Sequence, residues 1–258
     1  MSLIQYSKEN GLAEVVINRP DVLNCFSYET LLELEQAVEE IRVDREIRTV
    51  MIRGAGEKAF SAGADLKERK TLTDEQVKRN LFKMGEVFTK IELLPQPVIA
   101  AINGFAFGGG LELALTCDFR IMADHTQIGL TETGLGIIPG AGGTQRLPRL
   151  IGTSRALELI VKAKKLTAEE ALTYGIINAA VPSAELMETC KGWAAEIAKN
   201  APIAVQQAKF AVKNGMNTDL QTGLQIERKA YEVTIPTEDR LEALEAFSEK
   251  RKPVFQGK

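Results

Sequence analysis

Apolar residues recur along this chain first in short alternating or continuous runs and later in helical stripes. Ile4-Gln5-Tyr6 and Ala13-Glu14-Val15-Val16-Ile17 read as two strands joined by a turn at Glu9-Asn10-Gly11. Ser27 to Asp44 predicts a helix with Leu31, Leu34, Val38 and Ile41 on one face. Val50-Met51-Ile52-Arg53 predicts a short buried strand ending at Gly54. Thr73 caps a further helix, with Gln76 three residues on and Val77, Leu81, Met84, Phe88 and Ile91 as its apolar stripe. Pro97 to Ile102 and Phe119 to Ala123 are two more strands. From Ser154 onward the pattern is almost wholly helical, with a brief break at Ile176-Ile177-Asn178. Thr167 and Glu170 form a capping box, and Thr237 heads a last helix carrying Leu241, Leu244 and Phe247. Strands and helices alternate early and helices alone follow, which predicts an α/β core with an α-helical tail. Neither internal repeats nor Pro/Ser-rich linkers break the chain into independent units.

Composition narrows the chemistry. The 258 residues are 45% hydrophobic and carry a net charge of -3, enough for one large core and without the basic excess of a polyanion binder. No apolar run has the ~20 residues of a membrane span. The N-terminus lacks a signal-peptide layout and carries Glu9, Glu14 and Asp21, so the expected location is the cytoplasm. Cys25, Cys117 and Cys190 are scattered, without metal or disulfide spacing, and His125 is the only histidine. A nucleophile–histidine mechanism would have to run through His125, which reads as a turn residue, and a zinc site would lack ligands. The chemistry therefore falls to carboxylates, backbone dipoles, lysines or a cofactor.

Two carboxylates stand out by isolation. Between Leu93 and Cys117 the one acid or base is Glu112, and between Thr126 and Gln145 it is Glu132. At 26% charged residues, each stretch should hold about five or six. Such depletion predicts burial, where an ionised carboxylate costs several kcal/mol. Taken alone, Glu112 reads equally as a first-turn acid stabilised by its own helix dipole, and Glu132 as a surface loop acid. Together they form a pair that could divide acid and base work. Gly108-Gly109-Gly110, directly before a helix, offers free backbone N–H groups to an anion or a developing oxyanion. Ser61 to Asp65 is a second small-residue turn leading into a helix. Gly134-Leu135-Gly136 fails the spacing of a dinucleotide fingerprint, and Gly140-Ala141-Gly142-Gly143-Thr144 lacks the lysine of a phosphate loop.

Taken in order, Phe60 to Lys67, Asn103-Gly104 through Gly108-Gly109-Gly110-Leu111-Glu112, and Glu132 through Pro139-Gly140 to Leu147 resemble the crotonase, or enoyl-CoA hydratase/isomerase, family. The resemblance spans essentially the whole chain and implies a spiral of ββα units over residues 1–195. A C-terminal helical region over 196–258 would serve trimer formation, with a trimer or dimer of trimers expected and both regions acting as one unit. It implies an oxyanion hole from the amides of Ala64 and Gly109, and catalysis by Glu112 and Glu132. Ala62, Asp65, Leu66, Lys67, Gly108, Pro139 and Gly140 are expected at the substrate, with Lys67 near the CoA phosphates or pantetheine arm. Phe247 and Lys250 are expected at the nucleotide end, from this subunit or a neighbour. The implied substrate is an acyl-CoA thioester, with no metal or redox cofactor. Retention of both acids favours hydration over isomerisation. The chain also resembles the methylglutaconyl-CoA hydratases through Ala62 to Arg69, Gly223-Leu224 and Thr234 to Thr237, a group with an RNA-binding member. RNA binding is not expected here: the matching helix carries Glu29, Glu33, Glu35, Glu39, Glu40, Asp44 and Glu46 against Arg42 and Arg45.

Overall fold

The structure, a computed structural model, describes residues 2–258. The chain winds in successive strand–strand–helix turns. In the first, β1 (Ile4–Glu9) and β2 (Leu12–Ile17) pair antiparallel about Asn10-Gly11 and lead to α1 (Tyr28–Val43). The second holds β3 (Thr49–Gly54), β4 (Ala59–Ser61), the short α2 (Leu66–Arg69) and α3 (Asp74–Glu92). The third holds β5 (Val98–Ile102), β6 (Phe105–Phe107) and α4 (Gly109–Thr116). In the fourth, β7 (Phe119–Ala123) and β8 (Gln127–Gly129) precede a 3-10 turn at Glu132–Leu135, then α5 (Gly143–Ile151) and α6 (Thr153–Val161). β9 (Leu166–Thr167), α7 (Ala168–Thr173), β10 (Ala179–Val181) and α8 (Leu186–Ala198) follow. The chain closes with α9 (Pro202–Gly215), α10 (Leu220–Thr234) and α11 (Glu238–Glu249).

From β3 to β8, the first strand of each pair enters a six-stranded sheet of order β1-β2-β3-β5-β7-β10, which β10 closes. The second enters a four-stranded sheet of order β4-β6-β8-β9. Pairing is parallel except for β1 with β2 and β8 with β9. This is the expected spiral of ββα units. In the middle of the large sheet Val50–Ile52 and Val98–Ile102 are continuous apolar runs because both faces are covered there. Val50, Ile52, Val98, Ala100 and Ile102 join the main core under α1 and α3. The alternating partners Met51, Ile99, Ala101, Ile121 and Ala123 pack against Leu186, Cys190 and Ala194 of α8. That helix runs across residue 195 and belongs with the sheet it covers.

Local signals explain most helix starts. Ser27 caps α1 by accepting from the Thr30 amide, and both expected capping boxes form, Thr73 with Gln76 and Thr167 with Glu170. The entire small sheet and β10 escape the sequence pattern. Strands of two or three residues are too short to show a period, and β10 directly follows the apolar break at Ile176–Asn178. Two stripes are corrected. Val77 is half-buried and Leu81 exposed, because the first turns of α3 rise off the core and wall a cavity. On α11, Leu241, Leu244 and Phe247 are exposed rather than packed. No helix among the described residues is long and apolar enough to cross a membrane.

Candidate active site

The cavity lies between α3, the turn before α2, the start of α4 and the segment 131–144, and encloses about 760 Å³. Its construction begins at buried Asn24. The Asn24 side chain accepts from the Arg19 amide at 3.0 Å and donates to the carbonyls of Ala55 and Ala59. Ser61 Oγ donates to the Asn24 carbonyl and accepts from the Gly63 amide at 3.1 Å. Asp65 caps α2 through the amides of Lys67 and Glu68 and pairs with Arg19 at 2.9 Å. Burial opposes its charge, but the Glu68 amide and the Arg19 guanidinium outweigh it and hold the carboxyl below the usual aspartate value. The 61–65 turn is thus tied down on both sides.

Two amides are left over. The carbonyl of Gly63 accepts from Phe26 and the amide of Asp65 donates to Phe26, which leaves the Ala64 N–H without an acceptor among the described residues. Gly109 opens α4, so its N–H has no intrahelical partner. The two loops touch: a Cβ at Gly63 would lie 2.8 Å from the Gly109 nitrogen, and one at Gly109 would lie 3.6 Å from the Ala64 nitrogen. Gly63 also has φ +91°, so its lack of a side chain is required twice over. Ala64 and Gly109 both line the cavity, and together they present adjacent free donors to whatever oxygen sits there.

Both isolated carboxylates reach the same cavity. Glu112 is 2% exposed, and its Oε1 accepts from the amides of Ala141 and Gly143, each at 2.8 Å. It therefore leans on the start of the neighbouring helix α5 and not on its own helix dipole. Burial pushes its pKa up, while those two amides and the Arg146 charge pull it down; the net direction is upward. Glu132 is 8% exposed, which disposes of the surface-acid reading. Its Oε2 is buried with no hydrogen-bond partner, and its Oε1 would lie 3.1 Å from a Cβ at Gly108. Burial first, and then the Glu112 charge, raise its pKa to about 7. The two acids sit close enough to feel each other, yet one is cradled and the other bare.

Of the other residues singled out in the sequence, Ala62, Asp65, Leu66, Gly108, Pro139 and Gly140 line this cavity. Lys67 lies instead in a neighbouring shallow depression with Leu66, Arg69, Lys70, Leu135 and Ile137. Phe247 and Lys250 line neither; α11 leaves Phe247 86% exposed, and no wall of this chain's cavity comes from that helix. His125 is exposed, as its turn position predicts. Among the described residues no three His, Cys, Asp or Glu side chains cluster as a metal site. Sequence reasoning missed the Ala141–Gly143 cradle. The run Gly140 to Gly143 leads into a helix just as Gly108–Gly110 does, and that was the available signal. The cavity has an apolar wall of Leu72, Val77, Leu81, Met84, Ile137 and Ile138.

The sequence model described as enoyl-CoA hydratase/isomerase matches residues 7–258. Bacillus subtilis YngF is 51% identical over 99% of this chain and 98% of that protein. The short-chain-enoyl-CoA hydratase of Clostridium acetobutylicum is 46% identical over 95% of this chain and 94% of that protein. The crystal structure of an enoyl-CoA hydratase from Bacillus anthracis superposes with a TM-score of 0.98 at 49% identity, covering 100% of both chains. With a match over nearly its full length and the site built as above, this chain belongs to the enoyl-CoA hydratase/isomerase family.

Proposed function

We propose that the protein is an enoyl-CoA hydratase that adds water reversibly and syn across the double bond of a 2-enoyl-CoA thioester, giving the 3-hydroxyacyl-CoA. The observation that carries this reading is the pair of buried carboxylates beside two unengaged amides in one cavity. The thioester oxygen is held by the amides of Ala64 and Gly109. Glu112, whose charge the cradle supports, removes a proton from the water. The hydroxide oxygen bonds to Cβ, and the π electrons move through Cα onto the thioester oxygen as an enolate. Loss of one such amide costs about 10²–10³ in rate. Glu132, with a pKa near 7, is partly protonated at neutral pH and delivers its proton to Cα. The product has gained H at Cα and OH at Cβ; Glu112 now holds a proton and Glu132 does not, and proton exchange with solvent resets them. The CoA is part of the substrate, and the scheme draws on no metal or redox cofactor.

The residues Ala62, Asp65, Leu66, Gly108, Pro139 and Gly140 shape the channel, while Lys67 stands at its edge for the anionic CoA arm. Phe247 and Lys250 serve a substrate only across a subunit boundary. The apolar side chains exposed on α10 and α11, among them Leu220, Tyr231, Leu241, Leu244 and Phe247, support assembly as a trimer or dimer of trimers. The decisive assay follows loss of the thioester-enone absorbance of crotonyl-CoA, with Glu112→Gln and Glu132→Gln alongside. Each variant is expected to lose 10²–10⁴ in kcat while remaining folded; an inactive wild type, or active variants, refutes the scheme. A second reading, hydration of 3-methylglutaconyl-CoA, rests on Arg69, a cation on the otherwise mostly apolar cavity wall that could meet a second carboxylate. A large kcat/KM preference for the branched diacid over crotonyl-CoA would favour it.

A further inference from the structure

Behind the turn that holds the Glu112 carboxylate, one arginine binds the Ala141 peptide and packs against Gly142. The Ala141 peptide is gripped at both ends: its N–H donates to Glu112 Oε1 at 2.8 Å, and its carbonyl accepts from Arg146 Nη1 at 2.9 Å. Arg146 lies one turn into α5, the helix whose first residue, Gly143, supplies the second amide to Glu112. Between these amides Gly142 turns with φ +112°, and a Cβ built there would fall 1.9 Å from Arg146 Nη1. The guanidinium therefore occupies the place of the missing side chain and closes the turn from outside. Its own orientation is set by Glu92, the last residue of α3, whose Oε2 accepts from Nε at 2.9 Å and from Nη2 at 2.7 Å. Both side chains are partly buried, at 17% and 26% exposure. An arginine clamped at three nitrogens has one orientation, and a turn pinned by it has one too.

We propose that Arg146, oriented by Glu92, is a positioning residue for the hydration reaction, fixing the Ala141–Gly143 amide cradle that aims the Glu112 carboxylate at the substrate water. This rests on the hydratase reading above. Arg146 is not among the residues that line the active-site cavity; it works through the Ala141 peptide and through its charge. The charged groups facing Glu112 are Glu132 from the 132–135 turn and Arg146 from α5, while Glu92 on α3 and Lys213 on α9 stand behind Arg146. Removing the arginine takes away a positive charge that favours ionised Glu112. The protonation step of that residue then moves to higher pH, and the cradle loses its outer support.

The test compares wild type with Arg146→Met, Arg146→Lys and Glu92→Gln. Crotonyl-CoA hydration is followed from pH 5 to 9, and Glu112 is titrated by carbon-13 NMR of glutamate-labelled protein, assigned with Glu112→Gln. In Arg146→Met, kcat is expected to fall about 10²-fold, the scale of a small misplacement of a reacting group, with KM little changed. The acid limb of the kcat profile and the NMR titration of Glu112 should both shift upward. Arg146→Lys, which keeps the charge and loses the fork, should restore the titration but not the rate. Glu92→Gln should lose rate with a smaller titration shift. Three results overturn the proposal: an Arg146→Met enzyme with unchanged kcat, a loss of rate that matches loss of folded protein, or a Glu112 titration identical to wild type. The NMR titration needs no turnover, so an inactive wild type would defeat the hydratase reading while leaving the effect of Arg146 on Glu112 measurable.

Discussion

Glu132 is held in a place that disfavours its charge, and the protein should be measurably less stable for it. The carboxyl is buried, one oxygen lacks a partner, and its pKa stands at about 7 against the ordinary glutamate value of 4.5. At about 1.4 kcal/mol per pH unit, that displacement corresponds to a ceiling of about 3 kcal/mol. The sign follows from proton counting. Between about 4.5 and 7 the folded protein binds more protons at this site than the unfolded chain, so stability falls as pH rises through that window and levels off above it. Glu132→Gln removes the titration while keeping size and polarity. Relative to wild type, the variant should therefore gain up to about 3 kcal/mol on going from pH 4.5 to pH 8. At about 2–4 °C per kcal/mol for a chain of this size, that is a relative rise in Tm of several degrees. The assay is thermal unfolding of both proteins at the two pH values, reading the difference between the differences. Any unsatisfied group introduced by the amide costs the same at both, and cancels. A Tm gap between variant and wild type that is equal at pH 4.5 and pH 8 refutes the reasoning, because it would mean that Glu132 pays nothing for its ionisation.

Two further outcomes follow from packing. Gly110→Ala is expected to yield destabilised or insoluble protein, since its Cβ would lie 2.0 Å from the Ser61 carbonyl oxygen, inside the contact that joins α4 to β4; a Tm within 2 °C of wild type by calorimetry would show that the contact yields cheaply. Sedimentation velocity should find a trimer or a dimer of trimers, and Leu241→Glu with Leu244→Glu should shift it toward smaller species, because both side chains stand exposed on α11 of the single chain. A wild type that sediments as a monomer at micromolar concentration removes the subunit-boundary role from Phe247 and Lys250.

How much was legible beforehand differs by element. The long helices α1 and α3 and the strands β3, β5 and β7 announce themselves, because burial of one helix face or both sheet faces must be written into residue type over many positions. The small sheet does not, although it carries the site: β4 delivers the 61–65 turn, β6 the Gly108–Gly110 run and β8 the segment leading to Glu132. Three-residue strands are specified by their neighbours, and nothing in Ala59–Ser61 or Phe105–Phe107 alone demands pairing.

The sequence by itself determined that two acids would be buried, since each stands alone in a stretch stripped of other charge, and burial of a carboxylate leaves that compositional trace. It determined also that the run Gly108–Gly110 would open a helix carrying one of them. Only the tertiary structure decided what each acid meets: Glu112 the amides of Ala141 and Gly143, with Arg146 behind them, and Glu132 an apolar wall and the charge of Glu112. Glu132, Ala141, Gly143 and Arg146 all lie 20 or more residues from Glu112 in the chain and meet it because parallel strands bring successive turns of the spiral side by side. Identical side chains thereby acquire different proton affinities, which no local pattern encodes.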